Sequence, residues 1–134
     1  MHDHPDIDDD ALLHRFATNT LPGFPHEEHL HVVFVKAARA PLAETLEFVR
    51  TGIIAMAGDS GKYHDTRTTA WVQIIVAARA GFTGTFAEFL VAHPELLRRD
   101  VLSDYYSDAL LTSREARARF VAPDLRELPA ASGI

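Results

Sequence analysis

Three histidines fall within six residues of the stretch FPHEEHLHVVF, residues 24–34, at the start of an apolar, helix-patterned segment. An imidazole titrates near neutrality, so it can take up and return a proton, and it is also a common ligand for zinc or iron. Which role is open to each ring depends on where it points. With 3.6 residues per turn, His26 shares a face with Leu30, Val33 and Ala37, all within about 40° of it. His29 sits about 60° away, on the edge of that face, and His31 about 140° away. His26 and His29 are therefore inward neighbours with Cβ atoms about 5–6 Å apart. His31 is expected to meet solvent or a partner.

A second chemical group lies in KYHDTRTTAWVQII, residues 62–75. If a helix here reaches back to His64, then His64, Thr68, Trp71, Ile75 and Ala78 form one stripe, apolar except for its first turns. An imidazole, a hydroxyl and an indole N–H at one end of a core need partners, because each buried unpaired group costs about 1–3 kcal/mol. The economical arrangement has His26 and His29 facing His64 across a pocket. Three neutral imidazoles could hold one divalent cation, zinc or iron, with a position left for water. Without a metal the same rings could transfer protons, with His64, Thr68 and Trp71 as the catalytic set against a small-molecule substrate. Asp65 or Asp59 would orient His64, and Lys62 and Tyr63 would add donors. The competing reading makes each histidine a half-buried residue satisfied by a carbonyl or carboxylate, in a non-catalytic module that binds a partner or dimerises.

The elements that must position these groups are helices. The first long one is expected over about Pro25–Arg39, with Pro25 in its first turn and Glu27 and Glu28 at the positive end of its dipole. The second covers Leu42–Ala57, where Leu42, Leu46, Val49, Ile53 and Met56 make a buried stripe. The third runs from Asp65, as N-cap, to Ala80 and stops at Gly81. A fourth follows Thr85 and halts before Pro94. A last one starts at Thr112, which has capping-box spacing to Glu115. A short helix over ALLHRF, capped by Asp9 or Asp10, precedes them all. Phe82, Phe86 and Phe89 read as core, Tyr105 and Tyr106 as packed rings with exposed hydroxyls, and His93 as a helix C-terminal residue. Arg114, Arg117 and Arg119 form a basic flank that could pair with Asp124 or with the acidic segment. No strand shows convincing alternation. The expected fold is all-α, a single-domain bundle or orthogonal array of about five helices over residues 11–129. Residues 1–10 are expected to be a disordered acidic tail, residues 130–134 a second tail, and the segment after residue 121 an extended strap.

Composition narrows the function classes. The chain has 134 residues, 47% of them hydrophobic and 24% charged, as in globular proteins. Its net charge is −6 and it has no basic run that could track a phosphate backbone, so nucleic acid is not an expected partner. There is no cysteine, which excludes disulfides, thiolate metal sites and a thiol nucleophile. No apolar run approaches a membrane span. The expectation is a cytoplasmic protein with a small-molecule ligand, and a homodimer is compatible with it. GDSGK lacks the spacing of a phosphate loop.

Three blocks, FPHEEHL, KYHDTRTTAW and YYSDALLTSREARARFVAPDLRELP, resemble a family of small, mostly helical, uncharacterised bacterial proteins. The resemblance spans Phe24 to Pro129. It implies that His26, His29, His64, Thr68 and Trp71 fall in the family's recognisable blocks, with Arg117, Phe120, Pro123 and Asp124 in the third. It implies no activity.

Overall fold

The computed structural model describes residues 5–21 and 26–129. Pro25 and the segments 1–4 and 130–134 lie outside the described residues. Those described form seven α-helices and no strand: α1 (Pro5–Ala17), α2 (His26–Ala37), α3 (Leu42–Ala57), α4 (Asp65–Arg79), α5 (Phe86–Ala92), α6 (Asp108–Leu111) and α7 (Arg114–Ala118), with short 3-10 turns after α3, after α5 and before α6. The all-α expectation holds. None of these helices is long and apolar enough to cross a membrane.

α4 is the centre of the molecule, packed against α2, α3 and α7. Its buried residues go nearly all the way round: Thr66, Thr68, Thr69, Ala70, Val72, Ile74, Ile75 and Val76. A helix with neighbours on several sides cannot keep a single apolar stripe, and two of its buried threonines use their hydroxyls, Thr66 toward Arg119 and Val121 and Thr69 toward Arg50. α2 contacts α1, α3 and α4, so Val32 and Val35 are buried along with Leu30, Val33 and Phe34. α3 has the expected bounds, but only Val49 of its stripe is fully buried. Leu42, Leu46, Ile53 and Met56 are half-buried against the core. The stripe is incomplete at its C-terminal end because that end faces a cavity.

Three local expectations change. α1 starts at Pro5, so the acidic segment is helical from that residue onward, where a solvated tail was expected. Asp65 is the first helical residue of α4 and His64 is its N-cap. The last helix starts later than Thr112: Ser113 caps α7 by accepting from the Ala116 N–H, while Thr112 donates its hydroxyl to the Asp108 carbonyl at the end of α6. A hydroxyl that can back-bond to the preceding turn closes a helix as readily as it opens one.

After α7 the chain runs extended across the surface, as expected. The Val121 N–H donates to Thr66 Oγ1 (3.1 Å), the Leu125 N–H to the Tyr105 carbonyl (2.9 Å) and Gln73 Nε2 to the Pro129 carbonyl (3.1 Å). Tyr106 is buried and donates its hydroxyl to the Val121 carbonyl at 2.7 Å, so that hydroxyl is an anchor and not a solvent group. Asp124 accepts from the backbone and side chain of Ser107 (2.8 and 2.6 Å). Arginine pairing with Asp124 is therefore not what holds the strap.

Candidate functional site

The two histidine-bearing blocks do come together. A cavity of about 730 Å³ opens between α2, α3 and the start of α4, within the range of small-molecule sites. His26, His29, His64, Thr68 and Trp71 all line it. Its apolar lining includes Val33, Ile53, Met56 and Ile75, and Lys62, Tyr63, Arg67 and Arg99 stand among the polar lining. The turn after α3 ends at Gly61, whose φ of 74° favours glycine, and this reversal swings Lys62 and Tyr63 back over the cavity.

His64 is hydrogen-bonded through both of its ring nitrogens. Its ring is buried, its Nδ1 accepts from the Arg67 N–H at 3.1 Å, and its Nε2 donates to the Leu111 carbonyl at 2.7 Å. A carbonyl can only accept, so Nε2 carries the proton and Nδ1 is the N-cap acceptor. Both nitrogens are in use. Burial, the largest influence, lowers the ring's pKa below the ordinary value, against the Leu111 carbonyl, which raises it. In this arrangement the ring has no lone pair to give a metal and none to accept a substrate proton.

His26 differs. Its Nε2 donates to the Leu96 carbonyl at 2.9 Å, which fixes Nδ1 as the unprotonated nitrogen of the neutral ring. The ring meets Trp71 edge-on, with centroids 4.8 Å apart, and stands 6.5 Å from the His29 ring. An imidazole held by one nitrogen and braced by an indole is fixed in orientation, with the lone pair on the other nitrogen. His29 lines the cavity beside it and also makes contacts of its own. Among the described residues no group of three or more His, Cys, Asp or Glu side chains is arranged to hold a metal ion. The shared ligand set expected of His26, His29 and His64 would require His64 to give up the N-cap hydrogen bond that its Nδ1 accepts from the Arg67 N–H, while the Nε2 bond to the Leu111 carbonyl could remain.

Behind the wall, Asp65 accepts from Tyr63 Oη at 2.6 Å and from Arg50 Nε at 3.0 Å, and Arg50 also reaches Thr69 Oγ1 at 3.3 Å. Burial, then Asp65, pushes the Tyr63 hydroxyl up to about 12, so it stays a donor at neutral pH. Asp65 was expected as a partner for His64, but its carboxylate is committed to Tyr63 and Arg50. Arg50 was not expected at all, since an arginine on the flank of an apolar stripe gives no sequence signal for the aspartate it will meet.

His31 is half-buried, part of its ring against protein and part in solvent. Its ring stacks on Phe86 (centroids 4.2 Å apart, planes 3° from parallel) and its Nε2 lies 3.7 Å from Asp9 Oδ1. The 140° position was correctly outside the α2–α4 face, but α1 and α5 cover it. Arg67 and Arg99 were also missed as cavity residues. No protein-family model, curated protein or solved structure matches the chain. The fold and the site together define an all-α domain with a histidine- and cation-lined cavity at its central helix.

Proposed function

We propose that the chain binds a small organic molecule in the cavity between α2, α3 and α4, with His26 as the group that exchanges a proton or hydrogen bond with it. The observation that carries this reading is the orientation of His26: one nitrogen is locked on the Leu96 carbonyl, the other holds the lone pair, and the ring lines a cavity of about 730 Å³. An imidazole whose tautomer is fixed by one hydrogen bond presents its other nitrogen as a proton acceptor. Thr68 and Trp71 shape the adjoining wall. His64 holds the start of α4 in place, so its role is to position the wall that carries Thr68 and Trp71. The metal-dependent version of the enzyme reading has less support, since it needs a lone pair that His64 has already committed.

A fragment screen by ligand-observed NMR tests the proposal, with Ala57→Trp as the control that fills the cavity from the end of α3. Fragments that shift the His26 ring resonances and lose at least about tenfold in affinity on A57W support it, tenfold being about 1.4 kcal/mol. If every bound fragment is indifferent to A57W, the cavity is not the site. His26→Gln, which keeps a donor for the Leu96 carbonyl and has no titratable nitrogen, should remove any proton-transfer activity found for those ligands.

A further inference from the structure

The charges around the cavity are all of one sign. Lys62, Arg67 and Arg99 line it, and no aspartate or glutamate does among the described residues. In a chain with net charge −6 this is a local reversal. The three side chains are exposed and, among the described residues, make no ion pair with a carboxylate. The acids nearest to them in sequence are otherwise engaged or turned elsewhere. Asp65 is held by Arg50 and Tyr63, Asp100 takes the neighbouring Arg98 at 3.1 Å, and Asp59 is exposed and does not line the cavity.

The same cavity has a large apolar share to its lining, including Val33, Ile53, Met56 and Ile75. A cavity whose lining is partly aliphatic and partly cationic is matched by a molecule with an apolar body and an anionic head. The body gains about 25 cal/mol per Å² of apolar surface removed from water. The head meets unpaired cations beside low-dielectric walls, which strengthens their attraction over that in bulk water. The α4 helix adds the same sign, because its positive N-terminal end, at His64 and Arg67, lies at this wall.

We propose that the ligand of this cavity is an anionic amphiphile, a carboxylate or phosphate on an aliphatic or aromatic body, whose head is held by Lys62, Arg67 and Arg99. This rests on the cavity being the ligand site proposed above and adds the chemical class of what enters it.

The test is a head-group series on one tail: octanoate, octyl phosphate, 1-octanol and octylammonium, each titrated calorimetrically into the full chain. Octanoate or octyl phosphate should bind at least tenfold tighter than 1-octanol, and octylammonium weaker than 1-octanol. The ratio between octanoate and octyl phosphate assigns the head. In K62Q/R67Q/R99Q, with melting temperature measured alongside, the anion preference should fall to within twofold while 1-octanol affinity changes by less than twofold. The single variant R99Q, at an exposed position outside any helix, should already reduce it about threefold. Equal affinity of the anions and 1-octanol for the wild-type chain, or a preference that survives the triple variant, overturns the assignment of charge and leaves the cavity reading standing. If 1-octanol and both anions all fail to bind, or bind A57W as well as wild type, the cavity reading fails and takes this one with it.

Discussion

Replacing His64 separates a structural histidine from a catalytic or metal-binding one. His64→Ala removes an N-cap acceptor, worth about 1 kcal/mol. It also leaves the Leu111 carbonyl, which now accepts at 2.7 Å in a buried setting, without its donor, at about 1–3 kcal/mol. The sum is a loss of about 3 kcal/mol of unfolding free energy, measured by urea denaturation. His64→Asn restores an oxygen where Nδ1 stood, and Asn is among the best N-caps, but its shorter side chain does not reach Leu111. It should recover about 1 kcal/mol relative to H64A. Stoichiometric zinc should leave the wild-type melting temperature unchanged, because coordination by His64 would have to displace the cap bond at Nδ1.

The same ring makes stability pH-dependent. Burial lowers its pKa in the native state below the ordinary 6.5. Between the lowered value and 6.5 the unfolded chain binds more protons than the native one, so stability rises with pH across that window and is lost as pH falls through it. H64N has no such group. The gap between wild type and H64N should therefore shrink on going from about pH 7.5 to about pH 5.5, a range around the ordinary histidine pKa. His31 is shifted in the same direction, chiefly by burial, but it is common to both proteins and drops out of the difference. A gap that widens with acidification, an H64A variant within about 1 kcal/mol of wild type, or a zinc-dependent rise in melting temperature would each refute the structural assignment of His64.

Gly52 on α3 packs against the fully buried Phe16, and a Cβ there would lie 2.2 Å from Phe16 Cε2. Gly52→Ala should destabilise by about 2 kcal/mol, an overpacking cost of about 3 less about 1 gained in helix propensity. A stabilised G52A, by thermal or urea unfolding, would mean that the α1–α3 contact is looser than described. The His31 ring should titrate below 6.5 by NMR because burial lowers it, and Phe86→Ala, which uncovers the stacked face, should move the midpoint back up. Tyr106→Phe should cost about 1 kcal/mol and speed amide exchange at Leu125, whose N–H bonds to the Tyr105 carbonyl beside it. Asp124, lowered by its Ser107 hydrogen bonds, supports the strap above its unfolded pKa and loses that support as pH falls through the lowered native value. The same amide should therefore exchange faster relative to the core in acid.

Where one helix face dominates, the residues were enough to place the elements. α3 is bounded by Pro41 and Gly58 and takes its expected limits, and the register that turns His26 and His29 toward the stripe of α4 follows from a 3.6-residue repeat alone. The helix expected after Thr85 starts there, where Thr85 and Glu88 form a capping box, whereas the capping-box spacing of Thr112 and Glu115 is not used. Apart from the one-residue shift of the last cap to Ser113, the errors lie where long-range partners decide. Asp65 has the better capping chemistry by residue type, yet Arg50, fifteen residues away, and Tyr63 take its carboxylate, and His64 caps in its place. Nothing local in KYHD encodes Arg50. The Leu111 and Leu96 carbonyls that fix His64 and His26 are further away still and carry no side-chain signature. Spacing could therefore bring the imidazoles to one cavity but could not say which ring would keep a free nitrogen.

That distinction bears on how the site could work. One imidazole spends both nitrogens on the frame, tying the first turn of α4 to the end of α6, and Thr68 and Trp71 follow on the helix it anchors. The other spends one nitrogen on the turn after α5 and braces its ring on Trp71, which the first histidine's helix supplies. The orientation of His26 therefore depends on the position of α4, and the position of α4 depends on His64. A variant such as H64N should disturb His26 indirectly, as a change in the His26 ring shifts, even though the Leu96 bond is intact. His26→Gln should leave the α4 cap untouched, with the Arg67 amide shift unchanged. If perturbation ran equally in both directions, the rings would be acting as one cluster, and the division between a framing histidine and a working one would have to be given up.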